Sequence, residues 1–398
     1  MQPPVENSAD DSGNRSLPTD RTSRSQIPAR AMAALFLLTL GTTLVAGLWP
    51  FCAPKNQVTW IQGENGIRFG AQGTVLSRAP LAIGDKGGAC SVEMWIKPAN
   101  LWKAGSVLTF YNSQATREFS IEQDLTDLLL VMRSRRGEPN RSQEPLRVEN
   151  VLRKQLALIT VTADGQQTMV YVDGRLAAVA PQFALSSRDL AGQIIIATSP
   201  WRNHSWSGDW KGLAVYNTAL SSAEVQQHYR SWTNDGAPAA DQNASAVAVY
   251  LFREHSGRSI SNFVSSEPKL DIPERFTVVD QIRFESPISE LYSEENYLKN
   301  AAINVAGFVP LGFVCGLYFM TVRGTRRTVL ITVLIGTAVS LAIEYFQSFL
   351  PTRFSGVTDM ITNTTGTWIG VMLCKAFVSR TSKFWVGHFT VQPSKGSA

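Results

Sequence analysis

The chain has 398 residues, a formal net charge of +5 and 44% hydrophobic residues. These averages exclude a wholly disordered chain, a collagen-like fibre and a disulfide-dense mini-protein, and the length admits two or more domains. Arginines gather at the edges of apolar stretches and not in one patch, which argues against nucleic acid as a partner.

Charge is segregated along the chain. Residues 31–51, 300–322 and 360–374 carry no charged side chain, and 328–350 carry only Glu344. A bilayer core is crossed by about 20 apolar residues in a helix. Four membrane helices are therefore expected, at 31–51, 300–322, 328–349 and 357–377. Lys and Arg favour the cytoplasmic flanks of such helices. Arg15, Arg21, Arg24 and Arg30 precede the first, Arg323, Arg326 and Arg327 join the second to the third, and Lys375, Arg380 and Lys383 follow the last. All lie on one side if both tails, 1–30 and 379–398, are cytoplasmic in a multi-pass inner-membrane protein. Residues 51–299 are then periplasmic or extracellular. Val45-Ala46-Gly47 would suit signal cleavage. The long charged region before it, with Trp49, Phe51 and Pro54 at its end, favours an uncleaved anchor. Bulky Phe51 before Cys52 argues against a lipoprotein. Cys52 and Cys90 are both external and are expected to be unpaired thiols.

The external region reads as short strands. Ser91–Lys97 alternates Val92, Met94 and Ile96 with Glu93, Trp95 and Lys97, the period of a half-buried strand. Further strands are expected at 107–111, 128–132, 156–161, 168–172, 176–180, 194–197 and 213–216. Asp173-Gly174 marks a hairpin turn that needs positive φ at both central positions. Ser221 and Glu224 form a capping box for one short helix. Many strands without a parallel βαβ rhythm predict an all-β sandwich. Residues 56–235 are assigned to it, and 236–289 to a linker (TNDGAPAADQNASA, 233–246) and two extra strands near the membrane. The sequons at Asn140, Asn203 and Asn243 would matter only in a eukaryotic secretory pathway, of which the sequence carries no sign.

The runs SVEMWIKP (91–98), YVDGRLAA (171–178) and GDWKGLAVYNTALSSAEVQQHY (208–229) resemble the laminin G-like, concanavalin A-like lectin/glucanase family. The resemblance covers about 58–232 and implies a jelly-roll sandwich with a tendency to bind glycans. Hydrolases of that fold place paired carboxylates on one strand. Glu118, Glu122 and Asp124 are the nearest set here, but their spacing is wrong, and they are expected on a solvated strand edge. Trp201, Arg202 and Trp206 are the candidate sugar-binding residues, since flat aromatic faces beside hydrogen-bond donors suit sugars. Trp206 and Trp210 could instead fill the core, and Trp102 and Tyr111 share that ambiguity. His204, His228 and His255 are too scattered for a zinc site and are read as surface or half-buried. No metal or other cofactor is expected, and calcium is left open.

In the third apolar stretch Gly336, Ser340, Glu344 and Gln347 share one helical stripe, as do Asp359, Asn363, Gly366 and Gly370 in the fourth. The second carries Asn304, Gly307, Pro310, Gly312 and Gly316. Small residues every fourth position let helix backbones approach closely in lipid. A lone carboxylate at the depth of Glu344 is costly; it is expected to face the bundle and either pair with Arg353 or be protonated. Asp359 could cap a helix.

NVAGFVPLGF (304–313) and SLAIEYFQSFLPTRFSGVTDMITNTTGTWIG (340–370) resemble the VanZ-like membrane family. The motif positions are Pro310, Gly312, Glu344, Gln347, Arg353, Asp359, Asn363, Gly366 and Gly370. The resemblance covers about 290–378, with 31–51 standing in for the first helix, and the family's short external loop is replaced by the lectin-like region. It implies a bacterial cell-envelope setting, with a role in envelope or glycopeptide-antibiotic response. Asn304, Glu344, Gln347, Arg353, Asp359 and Asn363 are the expected ligand contacts at the outer leaflet. The ligand there would be a polar lipid headgroup, an undecaprenyl-linked sugar or a glycopeptide-like group, so membrane lipid and a glycan or glycolipid are the expected partners. Two alternatives stand: an enzyme using Glu344 and Asp359 as acid and base on a lipid-linked or glycopeptide substrate, and an adhesion protein with an inert anchor.

Overall fold

The computed structural model describes residues 29–84, 88–115, 117–134, 144–200, 204–238, 245–281, 283–284, 286–288, 297–323, 327–353 and 355–387. It has a mixed architecture: an all-β sandwich carried between the first and second of four long helices. The three sequon asparagines lie outside the described residues.

Among the described residues, sixteen strands form two antiparallel sheets, eight strands in each. The first sheet has the order β1 (Val58–Trp60), β2 (Ile67–Phe69), β13 (Gly208–Tyr216), β4 (Cys90–Pro98), β9 (Ala157–Ala163), β10 (Thr168–Val172), β11 (Arg175–Ala180). The eighth member, β14 (Ala246–Tyr250), continues beyond β2 along β13. The second sheet has the order β15 (Ser259–Ile260), β16 (Leu270–Asp271), β3 (Val75–Ser77), β12 (Gln193–Ile196), β5 (Gly105–Asn112), β6 (Arg117–Asp124), β7 (Asp127–Ser134), β8 (Leu146–Val148). The sequence-predicted strands lie within these, apart from residue 156 just before β9 and residue 197 just after β12. After the linker the chain forms three short strands, β14, β15 and β16, which complete the sheets, because Ala248, Tyr250, Ile260 and Leu270 belong to the same core.

Alternation builds that core. Val92, Met94 and Ile96 of β4 point inward with Val107, Phe119, Ile121, Val161 and Trp210, all buried. The opposite face of β4 was expected to be half exposed, yet Glu93 is wholly buried. The cause is α2 (Ser222–Asp235), which lies across the outside of the first sheet and packs its Val225 and Trp232 in one cluster with Tyr216 of β13. Its capping box forms as the sequence requires, with the Ser221 amide donating to the Glu224 carboxylate at 2.6 Å. The ring of Trp232 occupies the space where a side chain on β13 Gly212 would stand. At the β10–β11 hairpin Asp173 and Gly174 have φ of 51° and 74°, the positive values a type I′ turn demands.

A two-stranded neck joins sandwich to helices. Lys55 bridges antiparallel to Arg275, the Asn56 and Phe276 amides donate to the Glu274 and Pro54 carbonyls, and Asn56 Nδ2 bonds Thr74 and Pro273 carbonyls. Beyond the neck, Tyr111 donates to Asp280 at 2.6 Å on the second sheet, and Gln281 donates to the carbonyl of Leu350 between the third and fourth helices.

The helices are α1 (Ala29–Leu48), α3 (Tyr297–Arg323), α4 (Thr328–Gln347) and α5 (Val357–Gly387). Three of them, α1, α3 and α4, are long and apolar enough to cross a membrane. The fourth was expected to qualify, and α5 does not, because its seam carries Asp359, Asn363 and several threonines. That seam is turned inward: Asn363 and Thr367 are buried while Ile361, Trp368, Leu373 and Phe377 of the same helix are exposed. The expected small-residue packing is explicit. A Cβ on Gly312 would stand 2.1 Å from the Thr367 carbonyl oxygen, and one on Gly366 or Gly370 would stand 2.2 Å from those of Val305 and Val309. α1 packs into the bundle through Phe36, Leu40, Leu44 and Leu48 against Phe308, Leu311 and Ile343. Cys52, Cys90, Cys315 and Cys374 are all free thiols.

Candidate functional site

At the ends of the helices nearest the sandwich, α1, α3, α4, α5 and the α4–α5 turn enclose an open cavity of about 500 Å³. Asn304, Glu344, Gln347, Arg353, Asp359 and Asn363 all line it. Helical spacing explains the convergence: Glu344 and Gln347 are three apart on α4, and Asp359 and Asn363 four apart on α5.

Each polar group has a specific setting. Glu344 is 1% exposed and accepts the Gly356 amide at 3.1 Å. Asn304 Nδ2 donates to Asp359 at 2.6 Å, and Gln347 Nε2 donates to the Gly47 carbonyl at 2.6 Å. Asn363 Nδ2 donates to Ser340 Oγ at 3.0 Å. The pairing of Glu344 with Arg353 is not made: the Arg353 guanidinium turns to the Trp49 carbonyl at the end of α1. Backbone groups therefore serve both side chains, because the α4–α5 turn folds its own amide onto Glu344. Further polar groups that line the cavity escaped the sequence reading, among them Thr358 and Asn300. These two fall outside the stripe that carries the motif residues, so periodicity gave no signal for them.

The sandwich candidates fare differently. Trp201 and Arg202 lie outside the described residues. Trp206 is not a sugar platform: it is buried, and its indole N–H donates to Gln123 at 2.6 Å. Gln123 in turn donates to the Asn100 and Leu125 carbonyls, so the whole group is an internal plug. Trp210 is core as well, and Tyr111 is buried under Asp280. Trp102, by contrast, is 80% exposed. Glu118 and Glu122 are not on a solvated edge. β6 is an inner strand flanked by β5 and β7, and Arg133 of β7 lies over both carboxylates, 3.6 Å from Glu118 and 2.5 Å from Glu122. Burial pushes the Glu122 carboxyl upward, but the Arg133 hydrogen bond and charge outweigh it, and its pKa falls below the usual value. His228 is fully buried rather than superficial, with Nδ1 3.0 Å from Glu93. Among the described residues no group of three or more His, Cys, Asp or Glu could hold a metal ion.

Two family models match the sequence. Residues 69–226 match the concanavalin A-like lectin/glucanases superfamily, and residues 244–378 match VanZ/LLP1. The chain thus joins a region that matches the concanavalin A-like superfamily to a region that matches VanZ/LLP1. Solved structures similar to it include a candidate carbohydrate-binding protein of Bacteroides ovatus (10% identity, 57% of this chain, TM-score 0.37). The chain spans 62% of that protein's length. A heptameric SAP-like pentraxin of Limulus polyphemus matches at 14% identity over 57% of this chain and 96% of its own, with a TM-score of 0.33. A sialidase CBM40 module of Ruminococcus gnavus bound to α2,3-sialyllactose matches at 15% identity over 41% of this chain and 95% of its own, with a TM-score of 0.32. No curated protein matches the chain. The VanZ-like match includes β14–β16, so it begins inside the sandwich and runs through the neck to α5.

Proposed function

We propose that this is a cell-envelope protein whose concanavalin A-like domain holds a glycan or glycolipid outside the membrane, while the VanZ-like cavity receives the membrane-proximal end of the ligand. One observation carries this reading: six polar side chains from three helices and a turn converge on a cavity at the helix ends beside the sandwich. A bundle needing only internal hydrogen bonds has no use for an open, carboxylate-lined space, because buried polar groups cost energy unless they are matched. The orientation follows from charge. Arg30, Arg327, Lys375 and Arg380 flank the apolar helix segments at the ends away from the sandwich, which is the cytoplasmic pattern. Both tails are then cytoplasmic.

The enzyme reading shares the same residues, and one feature favours keeping it: Glu344 and Asp359 reach one cavity from different helices. Glu344→Gln and Asp359→Asn in the full chain separate the readings. Retention of envelope glycolipid that drops in both variants supports binding, and release of a cleaved product by the wild type alone supports catalysis. Unchanged retention in both variants would reduce the helices to an anchor. Orientation is tested by an impermeant maleimide on intact cells. Exposed Cys52 should label, and Arg327→Cys should label only after permeabilisation.

A further inference from the structure

We propose that the cavity selects a lipid headgroup carrying a primary ammonium, entering from the bilayer beside Gly307; this rests on the cavity being the ligand site. Gly307 is the first sign. Within the α3–α5 seam, Gly312, Gly316, Gly366 and Gly370 are all explained by a neighbour that a Cβ would strike. Gly307 is not: a Cβ there would meet nothing within 4 Å, and the residue lines the cavity. A helix-interior glycine costs about 1 kcal/mol relative to alanine. With no close backbone and no positive φ to require it, it is accounted for by room left for something else.

The second sign is unsatisfied polarity. Asn363 is 4% exposed and its Oδ1 has no hydrogen-bond partner, its Nδ2 being used on Ser340. Thr358 is 6% exposed and its Oγ1 also lacks one. Both line the cavity. Orphaned buried groups of this kind are costly, and a ligand that donates hydrogen bonds relieves the cost.

The third sign is charge. Among the described residues, two carboxyl groups, Glu344 and Asp359, and one guanidinium, Arg353, line the space. An ammonium with several N–H donors matches both the carboxyl groups and the acceptors. The guanidinium, at the outer rim by the α4–α5 turn, suits the phosphate of the same headgroup. Phe308, Ile343 and Ala46 supply an apolar wall for the start of an acyl chain.

The experiment uses the full chain in nanodiscs of phosphatidylcholine doped with phosphatidylethanolamine or phosphatidylglycerol, with retained lipid read by native mass spectrometry. Phosphatidylethanolamine should be retained about tenfold over phosphatidylglycerol and over the host phosphatidylcholine, whose quaternary nitrogen has no N–H. Glu344→Gln should erase that preference, and Gly307→Leu, which fills the space and removes no polar group, should reduce retention of every lipid. Equal retention of the three lipids, with Gly307→Leu still lowering all of them, overturns the ammonium and leaves the cavity as a site. A Gly307→Leu protein that folds and retains phosphatidylethanolamine as the wild type does overturns the cavity itself. Displacement by water-soluble phosphoethanolamine at equal concentration overturns the lipid source.

Discussion

Replacing Glu93 should damage the sandwich more than any surface change, and the damage can be sized. The carboxylate is wholly buried between the first sheet and α2. One oxygen accepts the Tyr216 hydroxyl at 2.8 Å and the Trp232 indole N–H at 2.9 Å, and the other faces His228 Nδ1 at 3.0 Å. Burial, followed by the charge of Glu93, raises the Tyr216 phenol well above its ordinary pKa, so it remains a donor. Glu93→Ala leaves three buried donors without an acceptor, each worth about 1–3 kcal/mol. A loss of about 3–9 kcal/mol follows, a large part of the roughly 5–15 kcal/mol that holds a domain folded. Tyr216→Phe removes one donor and leaves the carboxylate two, so about 1 kcal/mol is expected. The assay is thermal unfolding of the full chain in detergent, followed by tryptophan fluorescence, to which buried Trp232 contributes. At about 2–4 °C per kcal/mol for a domain of this size, Tyr216→Phe should lower the midpoint by a few degrees and Glu93→Ala by about 10 °C or more. If Glu93→Ala lowered it no further than Tyr216→Phe, the carboxylate would not be the hub described here.

Gly370→Leu should prevent α3 and α5 from meeting, since even a Cβ there would stand 2.2 Å from a backbone oxygen, and size-exclusion of the detergent-solubilised protein should show aggregation or loss of the folded peak. Glu122 is held below its ordinary pKa in the folded state, so its contribution is present above pH about 4.5 and is lost as pH falls through the lower folded value; an acid titration of Glu122→Gln should lack that part of the transition. Burial, with a smaller push from Asp189, raises the Cys90 thiol to about 12, so at pH 8 maleimide should modify exposed Cys52 and spare Cys90 until the protein is unfolded. Trp102→Ala should weaken glycan retention without a change in melting, since the side chain stands free of the core; equal retention by the variant would remove it as a sugar contact.

The fold was legible wherever periodicity had one cause. Val92, Met94 and Ile96 alternate because one face of β4 meets the core, and the Asp173-Gly174 hairpin follows from backbone sterics alone. Glu93 was misread because a second layer, α2, covers the face that alternation assigns to solvent, and nothing local to β4 announces it. Glu118 and Glu122 were misread for a related reason: which strand lies at an edge is set by pairings distant in sequence, here with β5 and β7. The polar residues of the bundle were legible because helical spacing fixes which side chains share a stripe. Their partners were not. Arg353 and Glu344 lie nine positions apart, and opposite charge suggested a pair, whereas the α4–α5 turn brings its own backbone amide to the carboxylate. Trp206 shows the limit of reading tryptophans by neighbourhood: its fate was decided by Gln123, 83 residues away.

The neck between Ala53 and Phe276 is made of two chain segments bonded to each other, and a doubled stalk resists twisting in a way that a single linker cannot. With Gln281 also bonded to the Leu350 and Arg353 carbonyls, the β-domain is tied to the turn that borders the helix cavity by a side chain as well as by the stalk.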